Sequence, residues 1–273
     1  LQPSELAKVF IVIYLAAFLE RHLKEVREKW SGFLKPLLLA GAAAALLQLE
    51  PDHGAMIILV LTAFCMIFLA GAKLHRFIFM LLVFLGGVIY VIFSKPYVIL
   101  RFSSYLNPWA AEYVNDSGYQ LTQALIAFGR GELLGVGLGN SIQKLFFLPE
   151  AHTDFMFSIL AEELGAVGAI IVILAFAILV LRALLIGKRA QNQGYDFHAY
   201  LAFGIALLLG IQAVINIGVN IGLLPTKGLT LPFLSYGGNS LIISCALIAM
   251  LLRVEYECRD VVNDQVTEAK ARG

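Results

Sequence analysis

Runs of apolar residues, separated by short polar clusters, repeat along this chain. A membrane-crossing helix needs about 20 mostly apolar residues, and seven runs fit this pattern when their boundaries extend by several residues. The pattern predicts an all-α polytopic membrane protein with about seven transmembrane helices in this chain. The predicted spans are Ser4–Leu19, Phe33–Gln48, Gly54–Gly71, Phe77–Phe93, Phe155–Leu181, Tyr200–Leu223 and Ser240–Leu252.

Lys and Arg follow every second predicted span. Basic residues lie in segments 21–29, 73–76, 182–189 and 253–259, after spans one, three, five and seven. Short connections rich in Lys and Arg stay on the cytoplasmic side of a membrane. We therefore expect the C-terminus inside and residue 1 outside.

The longest outer connection, from Ser94 to Thr153, predicts a large structured extracytoplasmic loop. Tyr119–Gly129 has the spacing of a helix, Gly129–Gly139 is glycine-rich and expected to be flexible, and Ile142–Leu148 is apolar. We expect a cap with short amphipathic helices at the membrane surface.

Another outer connection, Pro225–Asn239, is too apolar for a free loop and too rich in Pro and Gly for a helix. Irregular backbone at membrane depth occurs where it is buried in protein or lines a cavity, so this segment is predicted to be re-entrant. The predicted organisation is four spans in 1–93, the cap in 94–153, three spans with the re-entrant segment 225–239 in 154–252, and a cytoplasmic tail in 253–273.

Composition supports a membrane protein and narrows the chemistry. Hydrophobic residues make up 60% of the 273 residues and charged residues 14%, against about 25% charged in an ordinary soluble domain. This excludes disorder and a soluble single-core enzyme. A net charge of +1 without a basic arm gives no sign of nucleic-acid binding. The three cysteines, Cys65, Cys245 and Cys258, suggest neither a disulfide framework nor a zinc site.

Polar residues near the first three spans have both structural and functional interpretations. Glu5 and Lys8 share a helix face because they are three residues apart, so they form an interfacial ion pair or part of a site. The turn Glu50–Gly54 contains Asp52 and His53. Asp52 suits the cap of the next helix, although two acids with a histidine also suit a binding site.

Two polar stripes mark the later spans. Asp154, Ser158 and Glu162 are spaced by four residues and enter span five; Asp154 also suits a helix cap, but the stripe should face a cavity or another helix. Gln212, Asn216 and Asn220 form a second stripe on span six. Interhelical hydrogen bonding explains amides better than a cavity lining.

The residues alone indicate an outward-facing cavity that combines acids with cations. Such a cavity suits a lipid-modifying enzyme and a transporter equally well. Its candidate acids are Asp154, Asp52 and Glu5, and its candidate cations are Lys8, Lys144 and Lys227.

Six short segments in a fixed order separate these two classes, because together they resemble the SEDS (shape, elongation, division, sporulation) glycosyltransferases of bacteria. They are Gln2–Lys8, Glu50–Gly54, Gly135–Gly139, Pro149–Phe155, Ala161–Gly165 and Leu231–Ser240. Thr226–Pro232 and Ser141–Lys144 resemble the cell-division branch more than the elongation branch. Family members have ten spans, so the resemblance implies that this chain begins at the fourth and lacks about three.

The resemblance implies a peptidoglycan glycosyltransferase that polymerises lipid II into β-1,4 glycan strands during septal cell-wall synthesis. The expected location is the bacterial cytoplasmic (inner) membrane at the division septum, with the active site on the extracytoplasmic side. The family's essential acid falls on Asp154, which would act as general base on the acceptor 4-hydroxyl. An α-linked donor giving a β-linked product implies an inverting displacement.

The same resemblance suggests further site residues. Lys8 and Lys227 are candidates for binding pyrophosphate or orienting acids, and Glu5 is expected to pair with Lys8. The other candidate substrate-binding residues are Asp52, His53, Lys144, His152 and Ser235. The cofactor is unknown; a divalent cation could bind Asp154, Glu150 and Asp52, because hard cations favour oxygen ligands.

The expected partners are lipid II, a class B penicillin-binding transpeptidase and regulatory subunits of the division complex. Two alternatives stay open. One is a lipid II flippase, which intramembrane acids would suit, although the chain shows no internal repeat. The other is a non-catalytic division scaffold.

Overall fold

The computed structural model describes residues 2–50, 52–94, 103–226 and 228–272, and this part of the chain is helical without strands. A five-residue π-helical turn, Gln143–Phe147, lies between the fifth and sixth helices. The α-helices are α1 (Pro3–Glu28), α2 (Trp30–Leu49), α3 (His53–Leu69), α4 (Leu74–Ser94), α5 (Tyr119–Gly131), α6 (Met156–Asn192), α7 (Asp196–Asn220) and α8 (Gly238–Arg272).

Each of the seven predicted spans falls on one of the long helices, α1–α4 and α6–α8, which confirms an all-α polytopic protein. Within the described ranges, three segments are long and apolar enough to cross a membrane: Trp30–Leu47, Met156–Asn192 and Asp196–Asn220. His53–Leu69 and Leu74–Val83 are shorter apolar helices. Several helices extend past their apolar spans, since charged residues prolong a helix without interrupting its backbone hydrogen bonds.

The chain forms two compact units, and each contains segments distant in sequence. Unit 1 comprises Leu1–Lys73, Ala177–Ile211 and Gly238–Gly273. Helices α1, α2 and α3 pack together there, and α8 contacts α1. The Arg27 side chain donates to the carbonyl of Ala70 at the end of α3, over 2.8 Å. The helices also pack closely at Gly204, where a Cβ would lie 2.5 Å from Val12.

Unit 2 comprises Leu74–Phe176 and Gln212–Gly237. Its core includes a cluster around Phe157, which is fully buried with Ala161, Ala213 and Leu231. The predicted re-entrant segment is irregular in the described residues and contributes Leu231 to this cluster. Non-helical backbone thus packs inside protein, where its polar groups can find partners.

Helix α6 is interrupted at Gly165, whose φ of 69° and ψ of −171° belong to a region that essentially only glycine adopts. Segment 132–137 lies against this break. It donates to the carbonyls of residues 162–163 and accepts from the N–H groups of residues 166–167, over 2.9 to 3.2 Å. The backbone groups that the break releases from the helix are therefore satisfied by this segment.

Glycines permit this close approach. A Cβ on Gly131 would lie 2.0 Å from the carbonyl oxygen of Ala161, and one on Gly135 would lie 2.1 Å from that of Glu163. The structure corrects two expectations: Gly129–Gly139 is paired with α6 over much of its length, and span five is not one continuous helix. The high glycine content predicted a flexible segment, whereas in the structure the glycines allow two backbones to come into contact.

Candidate active site

Asp154 lies half-buried in the turn that immediately precedes α6, in unit 2. The carbonyl of Glu150 closes the turn by accepting from the N–H groups of residues 153–155, over 3.1 to 3.2 Å. Ala151 and Phe155 are buried in an apolar cluster with Val219 of α7. These two anchors fix the turn on either side of the Asp154 carboxylate.

Two asparagines of α7 hold the backbone of Asp154. The side-chain Nδ2 atoms of Asn216 and Asn220 both donate to the Asp154 carbonyl, over 2.9 Å. Asn220 Oδ1 accepts from the N–H of Ser158 at 3.0 Å and from its hydroxyl at 2.7 Å. The interhelical hydrogen bonding predicted for the polar stripe of α7 is confirmed at Asn220, whose partner Ser158 lies on α6. Asn216 instead binds the turn that precedes α6.

The irregular segment after α7 passes beside the Asp154 carboxylate. A Cβ built on Gly228 would lie 3.0 Å from Asp154 Oδ2, so the glycine leaves room for the acid. Asn216 donates to the carbonyl of Leu229, and Gln212 donates to that of Thr230 over 2.9 Å. Lys227, predicted to bind pyrophosphate, lies outside the described residues.

The third member of the α6 stripe, Glu162, is fully buried and organises the cap. It accepts from Arg130 Nη1 at 2.8 Å, from the Ser141 hydroxyl, and from the backbone N–H of Ile142 at 3.1 Å. A buried carboxylate needs such compensation. The sequence placed Glu162 in a polar stripe and in the family-like segment Ala161–Gly165, but it did not predict these contacts with the cap.

Lys144 forms an ion pair with Glu163, the residue after Glu162. Its Nζ lies 2.6 Å from Glu163 Oε1, and its backbone N–H donates to the Ser141 hydroxyl over 3.2 Å. This pairing holds the π-helical turn against α6. Binding of substrate by Lys144 stays a prediction.

Unit 1 contains the other predicted acids and cation. Lys8 Nζ lies 2.8 Å from Glu5 Oε1, and the Lys8 side chain is only 2% exposed; the predicted ion pair is confirmed. Asp52 caps α3, since its side chain accepts from Ala55 N over 2.9 Å. His53 is the first residue of that helix.

Replacing Asp52 with Ala should destabilise the protein by about 1 kcal/mol through loss of the cap, and Asp52→Ser should recover most of that loss. Thermal unfolding in detergent would measure both variants. Substrate binding by the carboxylate predicts a different result, in which Asp52→Ser is stable but has a raised KM for lipid II.

The remaining predicted residues lie near the same segments of unit 2. The hydroxyl of Ser235 accepts from Leu231 N over 2.7 Å and closes a turn of the irregular segment. His152 has an exposed side chain, and its carbonyl accepts from Tyr236 N over 2.8 Å. Their roles toward substrate stay predictions.

A divalent cation was predicted from the sequence as one possible ligand of the acidic residues. Across the described ranges, no three His, Cys, Asp or Glu side chains group closely enough to hold an ion. Binding of a divalent cation by Asp154, Glu150 and Asp52 therefore stays a prediction without geometric support.

The site is thus a half-buried aspartate beside an irregular, glycine-containing segment of a multi-pass helical protein. The family model described as "Cell cycle protein" (FtsW, RodA and SpoVE) matches residues 1–260. The chain belongs to this family, which confirms the resemblance seen in the sequence.

Curated relatives agree with the cell-division branch. A protein of Coxiella burnetii is 54% identical over 94% of this chain and 68% of its own length. One of Hahella chejuensis is 52% identical over 100% of this chain and 69% of its own length. Both are named "Probable peptidoglycan glycosyltransferase FtsW". This chain thus spans about two thirds of their length.

Solved structures share the fold. The rod shape determining protein RodA of Thermus thermophilus gives a TM-score of 0.62 at 28% identity, covering 94% of this chain and 66% of its own. A chain from a structure of a peptidoglycan synthase complex, concerned with polymerization and crosslinking, gives 0.76 at 28% identity. It covers 94% of this chain and 70% of that one.

Proposed function

We propose that this chain carries the catalytic aspartate of a peptidoglycan glycosyltransferase that polymerises lipid II into β-1,4 glycan strands. The observation that carries the proposal is the Asp154 carboxylate, half-buried beside Gly228, with its own backbone carbonyl held by two asparagine amides. Names of curated relatives at 52% and 54% identity support the reaction class.

Asp154 acts in this proposal as a general base. It accepts the proton of the acceptor sugar's 4-hydroxyl while that oxygen attacks the anomeric carbon of the donor. The bond from that carbon to the undecaprenyl pyrophosphate oxygen breaks, and the electron pair leaves with the pyrophosphate. One displacement inverts the configuration, so no covalent enzyme intermediate is needed. A positioned base contributes typically 10²–10⁴-fold.

Charge on the leaving pyrophosphate needs a cation. Lys227 is adjacent in sequence to Gly228, which lies beside Asp154. Lys144 and Lys8 already pair with Glu163 and Glu5. Among the three lysines, Lys227 is therefore our choice for the pyrophosphate, and the others stabilise neighbouring acids.

We place the reaction on the extracytoplasmic side of the bacterial inner membrane, at the division septum. The alternation of basic connections supports this orientation. A class B penicillin-binding transpeptidase is the proposed partner, because the structurally similar chain belongs to a peptidoglycan synthase complex. Regulatory subunits of the division complex are further proposed partners.

The test is polymerisation of labelled lipid II by the full-length protein that contains this chain. It would be purified with its transpeptidase partner, and a β-lactam would block crosslinking. We expect long glycan strands, and none from the partner alone. Translocation of lipid II across liposomes without any strands would instead support the flippase alternative.

Gly228→Ala should lower the polymerisation rate by about ten- to a hundredfold, because small displacements of a catalytic group can cost that much. The new Cβ would lie 3.0 Å from Asp154 Oδ2 and crowd the carboxylate. The same assay would measure it. Gly238→Ala is the matched control, because a Cβ at Gly238 meets nothing within 4 Å. Equal rates for the two variants would contradict the proposed crowding.

A further inference from the structure

We infer that Asn216 is a positioning residue for the glycosyl transfer: its amide fixes the Asp154 turn relative to the Gly228 segment. This inference rests on the proposed function of Asp154. It adds a residue that the family resemblance did not single out and that the sequence placed only in a polar stripe.

The Asn216 amide joins two segments that are far apart in the chain. Its Nδ2 donates to the Asp154 carbonyl at 2.9 Å and to the Leu229 carbonyl. The first carbonyl belongs to the turn before α6, and the second directly follows Gly228. Asn216 itself is 1% exposed and lies on the rigid helix α7. One buried side chain therefore sets the distance between the acid's turn and the segment beside it.

The orientation of this amide is fixed by its neighbour. Asn220 Nδ2 lies 3.4 Å from Asn216 Oδ1, 2.9 Å from the Asn216 carbonyl and 2.9 Å from the Asp154 carbonyl. The Asn216 oxygen thus faces a donor and its NH₂ group faces two acceptors. The assignment of oxygen and nitrogen follows from this network.

An amide suits the position because it offers two donor hydrogens without a charge. A hydroxyl offers one donor, and a buried ammonium or guanidinium would carry a desolvation cost. An apolar residue would leave the Leu229 carbonyl without this donor. The residue type therefore matches the task of bridging two backbone carbonyls inside the protein.

Loss of the bridge should affect turnover more than substrate binding. Asn216 donates to the backbone carbonyls of Asp154 and Leu229, so it acts through the placement of Asp154. A displaced base weakens the transition state and leaves ground-state binding largely intact. We expect Asn216→Leu to lower kcat about ten- to a hundredfold, with the KM for lipid II changed by less than about threefold.

The matched control is Gln212→Met, one helical turn away. Gln212 is also buried and also donates to a backbone carbonyl, but its acceptor is Thr230, over 2.9 Å, whereas Asn216 donates to the carbonyl of Asp154 itself. Both substitutions replace a buried amide by an apolar side chain of similar size. We expect Gln212→Met to keep kcat within about threefold at a similar melting temperature.

The measurement is kcat and KM for lipid II polymerisation by the full-length protein with its partner, together with thermal unfolding. If Asn216→Leu fails to fold, Asn216→Asp serves instead, because it keeps the shape and retains at most one donor. A kcat equal to that of Gln212→Met would overturn the inference. Equal losses of kcat and of melting temperature in Asn216→Leu and Gln212→Met would also overturn the inference.

The Asp154→Glu background separates positioning from a general structural role. If Asn216 acts through Asp154, adding Asn216→Leu to Asp154→Glu should lower kcat much less than it does alone. A full additional loss would overturn the inference. Retained activity in Asp154→Asn would overturn the proposed base itself, which is a different result from failure at Asn216 alone.

Discussion

Asp154→Asn should reduce the kcat for lipid II polymerisation by about 10²–10⁴-fold, the range expected for loss of a general base. The substitution keeps the size of the side chain and removes its ability to accept the 4-hydroxyl proton. The backbone contacts that hold the turn do not involve the replaced atoms, because Asn216 and Asn220 bind the Asp154 carbonyl. The fold should therefore survive, and melting temperature would verify it.

Asp116→Asn is the control for Asp154→Asn. Asp116 is exposed in the same unit, so its substitution removes an equal charge from a side chain that faces solvent. Near-normal strand formation by a folded Asp154→Asn protein would refute the base assignment. Intact division and septal assembly in cells that carry Asp154→Asn would favour the scaffold alternative.

Gly165→Ala should destabilise the protein by about 4 kcal/mol, from backbone strain and overpacking together. The residue has φ 69° and ψ −171°, which an alanine rarely adopts. Its Cβ would also lie 2.4 Å from both Gly135 N and the Leu133 carbonyl. The substitution should separate segment 132–137 from α6, because the added Cβ leaves no room for the two backbones to pair.

Gly129→Ala is the matched control for this glycine, with the opposite expectation. It lies in α5, and a Cβ there meets nothing within 4 Å. The change should leave stability unchanged or raise it by up to about 1 kcal/mol, because alanine is the better helix former. Thermal unfolding in detergent measures both. Similar melting temperatures for the two variants would contradict the structural role of the break.

Local spacing predicted several features of this protein correctly. Glu5 and Lys8 pair because residues three apart on a helix are neighbours, and Asp52 caps α3 because it directly precedes an apolar run. The predicted helix at Tyr119–Gly129 appears as α5. Each of these features depends only on residues close in sequence, so the local spacing of residues is enough to predict it.

Contacts between distant segments were not predictable in this way. Glu162 binds Arg130, and Asn216 binds the Asp154 carbonyl across a separation of 62 residues. A buried glutamate or asparagine shows that a partner exists, but the partner's identity depends on how the helices pack. The glycines of 129–139 were assigned to flexibility because composition cannot distinguish a free loop from a close backbone contact.

The sequence by itself determined the number and position of the apolar helices, their alternating charge, the family resemblance and Asp154 as the candidate acid. These follow from hydrophobic burial and from short motifs, which each stretch of chain carries independently. Only the tertiary structure decided the break at Gly165, the place of Gly228 beside Asp154 and the bridge at Asn216. Directional hydrogen bonds between remote backbone groups decide those features, and their geometry exists only after the helices have packed.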